Sequence, residues 1–248
     1  MADFEGKVAL ITGGGTGIGR ATALQLAAQG AVVAVNYSRS RQEAEDTAAE
    51  IRAAGARALV VQADVADDAQ VRTMVAATVA EFGRLDFLVN NAGRTRAVPL
   101  PDLDGVRDDD FTELFGVNFQ GPFYCSRAAI PEMKRGGGGH IVNVGSIAGL
   151  TGLGSSLIYS ASKAAVMNLT RGMAHSQAPE VQVNCVVPGL VETRWTATVS
   201  EEFARQNREA TPMGRAASAD DVATAIVGLL RSEFITGASL VVDGGRTI

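Results

Sequence analysis

The sequence predicts an α/β protein: a doubly wound parallel sheet of about seven strands with helices on both faces. Short β-branched runs alternate along the chain with longer, Ala-rich segments of helical spacing. The runs are apolar at consecutive positions, as strands buried on both faces require. Strand and helix repeated in this order call for parallel pairing with right-handed crossovers. A third observation concerns glycine. Five of the 28 lie between Gly13 and Gly19 and eight between Gly136 and Gly154, where the chain turns sharply or something approaches its backbone.

In order, the strands are read at Val8–Thr12, Ala31–Asn36, Ala58–Ala63, Leu85–Asn90, His140–Val144, Val181–Val187 and Ser239–Val242. Helices are expected near 18–29, 42–54, 67–82, 111–134, 158–177 and 219–231. The run Gly136–Gly139 is too short for a linker and is read as the end of one helix turning into the next strand. With 248 residues, 46% of them apolar, no Pro/Ser linker and no repeated period, residues 1–248 are expected to form one domain.

Composition also excludes functions. A formal net charge of −5 argues against a nucleic-acid or anionic-membrane partner, which needs a basic surface. No apolar run approaches the ~18 residues that span a bilayer. The opening Met-Ala-Asp-Phe-Glu-Gly has no basic leader, so the cytoplasm is the expected location. Cys125 and Cys185, with only His140 and His175 to help, build neither a disulfide framework nor a metal site, and are expected to be reduced core residues. The two histidines are read as structural or surface residues.

The first strand runs into Thr12-Gly13-Gly-Gly-Thr16-Gly17-Ile18-Gly19 and then a helix. Glycines there let a pyrophosphate sit against backbone amides at the helix N-terminus. The spacing is G-x-x-x-G-x-G; G-x-G-x-x-G fails in every register, and no Gly-Lys-Ser/Thr follows to make a P-loop. The second strand ends Val35-Asn36-Tyr37-Ser38-Arg39-Ser40-Arg41, with no carboxylate before Glu43. A carboxylate would bind a ribose 2′-hydroxyl and repel a 2′-phosphate, whereas Ser38, Arg39 and Arg41 can donate to one. NADP(H) is therefore favoured, with NAD(H) the alternative.

Tyr159 and Lys163, each one of only three of its kind, stand four apart on one face of an expected helix. An ammonium near a phenol lowers its pKa from ~10 toward neutrality, which would let Tyr159 exchange a proton at working pH. Ser146 follows the strand His140–Val144 and would project into the crevice where doubly wound sheets bind ligands, its hydroxyl placed for a carbonyl or carbinol oxygen.

These residues resemble the short-chain dehydrogenase/reductase family over nearly the whole chain. The resemblance rests on Thr12-Gly13-x-x-x-Gly17-x-Gly19, Asp64-Val65, Asn90-Asn-Ala-Gly93, Asn118, Ser146, Tyr159-Ser-Ala-Ser-Lys163, Pro188-Gly189 and Asp243-Gly-Gly245. It implies a Rossmann-like fold in which Gly13, Gly15, Thr16, Gly17, Ile18 and Gly19 cradle the cofactor and Asn36, Tyr37, Ser38 and Arg39 read its ribose. Asp64 and Val65 would meet the adenine, while Asn91, Ala92 and Gly93 support the cofactor. Pro188, Gly189, Val191 and Thr193 would border the nicotinamide. Ser146 would orient the substrate oxygen and Tyr159 would be the general acid in reduction and the base in oxidation. Lys163 would bind the nicotinamide ribose and lower the tyrosine pKa, and Asn118 would anchor a proton-relaying water.

Phe234-Ile-Thr-Gly237 and Val242-Asp-Gly-Gly245 resemble the 3-oxoacyl-acyl-carrier-protein reductase group in particular. That group uses basic residues near helix ends to dock an acidic carrier. Here the helix after Lys163 closes on His175-Ser-Gln-Ala-Pro-Glu180, leaving Lys134 and Arg135 as the local cations. A small carbonyl or alcohol is the expected substrate. A sugar or polyol dehydrogenase is the nearer alternative, and a dinucleotide-binding sensor without turnover the more distant one. Segments 94–110 and 190–213, the latter with Glu192, Arg194 and Trp195, are expected to line the pocket. The resemblance also implies a homotetramer, or a dimer, built through helices 111–134 and 158–177 and the segment Gly237–Gly245.

Overall fold

All seven expected strands lie side by side in one parallel sheet, in a computed structural model that describes residues 4–193 and 201–248. In chain order the strands are β1 (Val8–Ile11), β2 (Val32–Tyr37), β3 (Ala58–Gln62), β4 (Phe87–Asn90), β5 (Gly139–Val144), β6 (Val181–Pro188), β7 (Val191–Glu192), β8 (Ala217–Ser218) and β9 (Ser239–Val242). The helices are α1 (Gly17–Ala27), α2 (Arg41–Ala53), α3 (Asp68–Phe82), α4 (Asp108–Phe115), α5 (Gly121–Arg135), α6 (Ala148–Thr151), α7 (Leu157–Gln177), α8 (Glu201–Glu209) and α9 (Ala219–Arg231). The sheet order is β3-β2-β1-β4-β5-β6-β9, and β7 with β8 makes a separate two-stranded pair that the sequence reading did not anticipate.

Strand β1 shows why consecutive apolar residues were the right signal. Ala9 and Ile11 pack on one side with Leu26 of α1 and Ile226 and Leu230 of α9. Val8 and Leu10 pack on the other with Met74 of α3 and Met133 of α5. Each large side chain buried in this way stabilises the fold by roughly 1.5–3 kcal/mol.

The order reverses between β1 and β4: the chain leaves β1 toward one edge and returns to continue toward the other. A crevice opens above the strand ends at such a switch point. The glycine turn after β1, the loop after β4 and the loop after β5 all leave the sheet at that end.

One expected helix is not continuous. The stretch 111–134 is realised as α4, a π-helical turn at Gly116–Gln120, and α5. Pro122 is the cause legible in the chain, because it has no N–H to donate to the carbonyl four residues back, that of Asn118. The Gly121 N–H instead reaches the Gly116 carbonyl, one residue further than an α-helix allows. The run Gly136–Gly139 does end α5 and lead into β5. Both cysteines are free and buried, as expected.

Candidate active site

Strand β5 ends at Val144, and the chain then carries Ser146 across the crevice, pinned by Gly145 N–H to the Val186 carbonyl at 2.8 Å and by Ile147 N–H to the Pro188 carbonyl at 2.9 Å. Helix α6 follows and lies against α7. A Cβ on Gly149 would stand 2.7 Å from the Lys163 carbonyl carbon and the Ala164 amide nitrogen, so this close approach admits only glycine. The second glycine cluster thus seats the Ser146 loop directly on α7 at Lys163.

Helix α7 begins where Ser156 caps it, accepting from the Tyr159 N–H at 3.2 Å. Tyr159 is therefore in the first turn, with the Ser146 hydroxyl near enough to its phenol to favour the phenolate. Lys163 is buried one turn on, with Nζ donating to the Val144 carbonyl at 2.7 Å and lying 5.9 Å from the Tyr159 ring centroid.

The electrostatics correct one expectation. Burial raises the Tyr159 pKa above its ordinary value, opposed in part by the Ser146 hydroxyl. The expected lowering by Lys163 is absent because its ammonium is turned to Val144 and is itself held down to about 8 by burial.

Asn118 is 1% exposed in the π-helical turn. Its Oδ1 accepts from the Arg94 N–H at 2.8 Å, and its Nδ2 donates to the Arg94 carbonyl at 2.9 Å and to Ser162 Oγ at 3.0 Å. Ser162 Oγ in turn donates to the Tyr159 carbonyl at 2.7 Å. Asn118, Ser146, Tyr159 and Lys163 are thereby brought together.

The glycine turn fits a dinucleotide. Gly13 and Gly17 have positive φ of 61° and 51°, and a Cβ on Gly15 would come within 2.7 Å of the Ala44 amide nitrogen, so the turn is pressed onto α2 and its backbone left bare. Thr193 lies over this turn, with Cγ2 at 3.3 Å from the position a Gly17 Cβ would take. Thr16 and Ile18 flank Gly17 at the start of α1.

Other expected contacts prove supportive. Thr12 Oγ1 accepts from the Asn91 and Ala92 N–H groups, each at 3.0 Å, and Asn91 Nδ2 donates to the Thr12 and Gly13 carbonyls. This stitches the Gly93 loop to the glycine turn. Asp64 is partly buried, its Oδ1 accepting from the Ala66 N–H at 3.0 Å. Val65 is buried beneath Gly121, and Val191 is buried in β7. Pro188 and Gly189 close against the last strand, with Gly189 N–H on the Val242 carbonyl.

At the end of β2 the set divides. Asn36 and Tyr37, expected to touch cofactor, are buried. Asn36 Oδ1 accepts from the Gly13 N–H at 3.2 Å while its Nδ2 serves backbone carbonyls of Tyr37, Val61 and Ala63, and Tyr37 packs in the core. Asn36 holds the turn in shape and has no donor to spare. Ser38 and Arg39 are exposed beyond it.

The sequence reading missed a buried polar chain under the site: Asn90 Nδ2 donates to Asn143 Oδ1 at 2.8 Å, and Asn143 Nδ2 to Thr170 Oγ1 at 2.9 Å. Arg194 and Trp195 lie outside the described residues. His140 packs edge-on to Phe87, and His175 is exposed. Among the described residues no group of three His, Cys, Asp or Glu side chains is placed to hold a metal ion, and no helix is long and apolar enough to cross a membrane.

Such a sheet with this Ser, Tyr and Lys at its switch point defines a nucleotide-dependent oxidoreductase, and the comparisons agree. The short chain dehydrogenase family model matches residues 7–204. The chain is 44% identical over 97% of its length to the second ketoacyl-reductase candidate of the granaticin polyketide synthase of Streptomyces violaceoruber, covering 96% of that protein. It is 38% identical over 96% of its length to a 3-oxoacyl-acyl-carrier-protein reductase of Staphylococcus aureus strain Mu50, covering 97% of it. A short chain dehydrogenase from Burkholderia cenocepacia J2315, solved in complex with NADP, superposes with a TM-score of 0.92 at 37% identity, over 99% of this chain and 100% of that one. The chain belongs to the short-chain dehydrogenase/reductase family.

Proposed function

We propose that the chain is an NADP(H)-dependent carbonyl reductase that interconverts a ketone and a secondary alcohol, with Tyr159 as general acid and base. The carrying observation is Tyr159 beside Ser146, with Lys163 buried one helical turn on and its Nζ 5.9 Å from the Tyr159 ring centroid. A bound nicotinamide supplies or takes the hydride. Ser146 Oγ holds the substrate oxygen, and Tyr159 Oη delivers its proton in reduction and removes it in oxidation. Lys163 binds the nicotinamide ribose; by leaving Val144 for that partner, its ammonium comes to favour the phenolate. The Asn118 carbonyl, without an α-helical donor because of Pro122, is the seat for a water that returns the proton.

NADP(H) rather than NAD(H) is supported by exposed Ser38 and Arg39 beyond an Asn36 that is fully engaged. The relatives point to oxoacyl or ketoacyl substrates, and the local charges favour a free ketone over one tethered to an acidic carrier. Lys134 faces Glu180 at 3.9 Å, and Arg135 is paired with Glu132. A homotetramer, or a dimer, is supported by β9 at the sheet edge with Leu240 and Val241 exposed, and by a groove between α5 and α7 lined by Phe123, Ile130 and Met173.

The test is absorbance at 340 nm with NADPH and NADH against ketones, diketones, oxoacyl thioesters, sugars and polyols. Turnover of a ketone with NADPH preferred is expected. Turnover of polyols alone would replace the substrate class, and NADPH binding with no turnover at all would favour a sensor.

A further inference from the structure

The aspartate run Asp108-Asp-Asp110 has no place in the chemistry above, yet Asp110 is 2% exposed at the start of α4. Its carboxylate accepts from Arg96 through both Nε and Nη2, from the Arg107 N–H at 2.8 Å, and faces the Arg107 guanidinium at 3.9 Å. Arg96 Nη2 also donates to the Gly105 carbonyl at 2.6 Å. Segment 94–110 is thus closed on itself by a two-pronged ion pair between residues near its ends.

The residues beside Arg96 are tied elsewhere. The Arg94 backbone makes both hydrogen bonds with the Asn118 side chain, and its guanidinium pairs with Glu113 of α4 at 2.6 Å. The Thr95 hydroxyl meets Ser155 Oγ, and the Val98 N–H donates to the Ser155 carbonyl at 2.8 Å, one residue before the cap of α7. A strap from Arg94 to Val98 therefore runs back along α4, touching its C-terminal end, its first turn and the start of α7. The eight residue steps from Asp110 to Asn118 span about 12 Å of helix, and the strap is fastened at both ends of that span.

We infer that Arg96 and Asp110 are positioning residues that set the register of this strap, and through Arg94 the place of Asn118 and the π-helical turn relative to Tyr159. The inference rests on the carbonyl-reductase reading for its catalytic consequence. A lysine keeps the charge at position 96 but not the planar fork that fixes two oxygens at once. A shift of about 1 Å in catalytic geometry costs on the order of 100-fold in rate.

The experiment compares Arg96→Lys and Asp110→Asn with the parent protein by steady-state kinetics on a ketone, NADPH titration, thermal melting and amide hydrogen exchange. Expected in either variant are a kcat at least tenfold lower, KM and NADPH affinity within about threefold, and faster exchange confined to residues 112–122. A kcat within twofold of the parent together with unchanged exchange there overturns the inference. So does a loss of activity that tracks equal losses of NADPH affinity and melting temperature, which marks a merely structural pair. Should the parent turn over no ketone, the functional reading fails, while the exchange at 112–122 still supports or overturns the strap.

Discussion

Lys163 Nζ donates to the carbonyl of Val144, the last residue of the strand that delivers Ser146. The lysine is buried and its pKa is pushed down to about 8, so below that pH it is an ammonium and above it a neutral amine. An anionic, hydroxyl-rich cofactor needs the cation. NADPH affinity of the free enzyme is therefore expected to weaken as pH rises through about 8. Fluorescence titration from pH 6.5 to 9.5 checks this, and a flat profile would refute it. In Lys163→Arg the guanidinium stays charged throughout, and the limb should disappear.

In the proposed mechanism Tyr159 carries the proton while the glycine turn carries the cofactor, so the two functions should separate. In the free enzyme the phenol is raised by burial and holds its proton at neutral pH, before Lys163 turns from Val144 to the cofactor. Tyr159→Phe should lower kcat by at least 1,000-fold with NADPH affinity within about threefold. A variant that keeps a tenth of the parent rate would remove Tyr159 from the role.

The strands were legible because β1, β2 and β4 each carry three or more successive apolar residues, a pattern that burial on both faces demands. Ser146, Tyr159 and Lys163 were legible because a strand end and a helical spacing of four put them on one crevice. What the chain hid was long-range. Pro122 was visible, but nothing in the chain announced that the Asn118 side chain in the π-helical turn is held by the Arg94 backbone, 24 residues away. Asn143 sits among β-branched residues in a central strand and announces no partner, although Thr170 lies above it. Arg96 and Asp110 lie in a segment expected only to line the pocket, and their pairing was hidden because charge alone does not reveal burial. Asn36 shows the opposite limit: a polar residue at the end of β2 looks like a ribose ligand, and the sequence does not reveal that its amide serves the backbone.

Arg39 is exposed at the end of β2 with Ser38, where a 2′-phosphate would sit. Arg39→Glu should repel that phosphate and accept a 2′-hydroxyl instead. The expected result is a fall of at least tenfold in kcat/KM for NADPH with NADH equal or better, measured at 340 nm. An unchanged NADPH preference would move 2′-phosphate recognition to other residues, Arg41 first among them.

Asp110 sets part of the acid limb of stability. Arg96 holds its carboxyl down to about 2, below the ordinary 3.8. A carboxylate lowered in the folded state contributes stability that is fully present above pH 3.8 and is lost as pH falls from 3.8 toward 2. Asp110→Asn should therefore be less stable than the parent at pH 7, with the gap closing in urea melts between pH 4 and pH 2. A gap that stays constant across that range would show that the ion pair is not the source.

Thr170 offers the sharpest test of the polar chain beneath the site. Its Oγ1 accepts from Asn143 and donates to the Val166 carbonyl at 2.8 Å, and Thr170, Asn143 and Asn90 are all 3% exposed or less. Thr170→Val keeps the shape but leaves the Asn143 amide without its acceptor in the interior, a loss of about 1–3 kcal/mol. The Val166 carbonyl still has its helical partner, so the cost falls on Asn143. Replacing Asn143 by leucine in the same protein would remove that orphan donor while stranding Asn90, whose Nδ2 would keep only Ser126 Oγ at 3.3 Å and the more distant Pro122 carbonyl. Urea unfolding should accordingly find the single Thr170→Val variant destabilised by the stated amount and the double variant no better. Full recovery in the double variant would mean that Asn90 gains nothing from Asn143 and that the chain ends one link earlier.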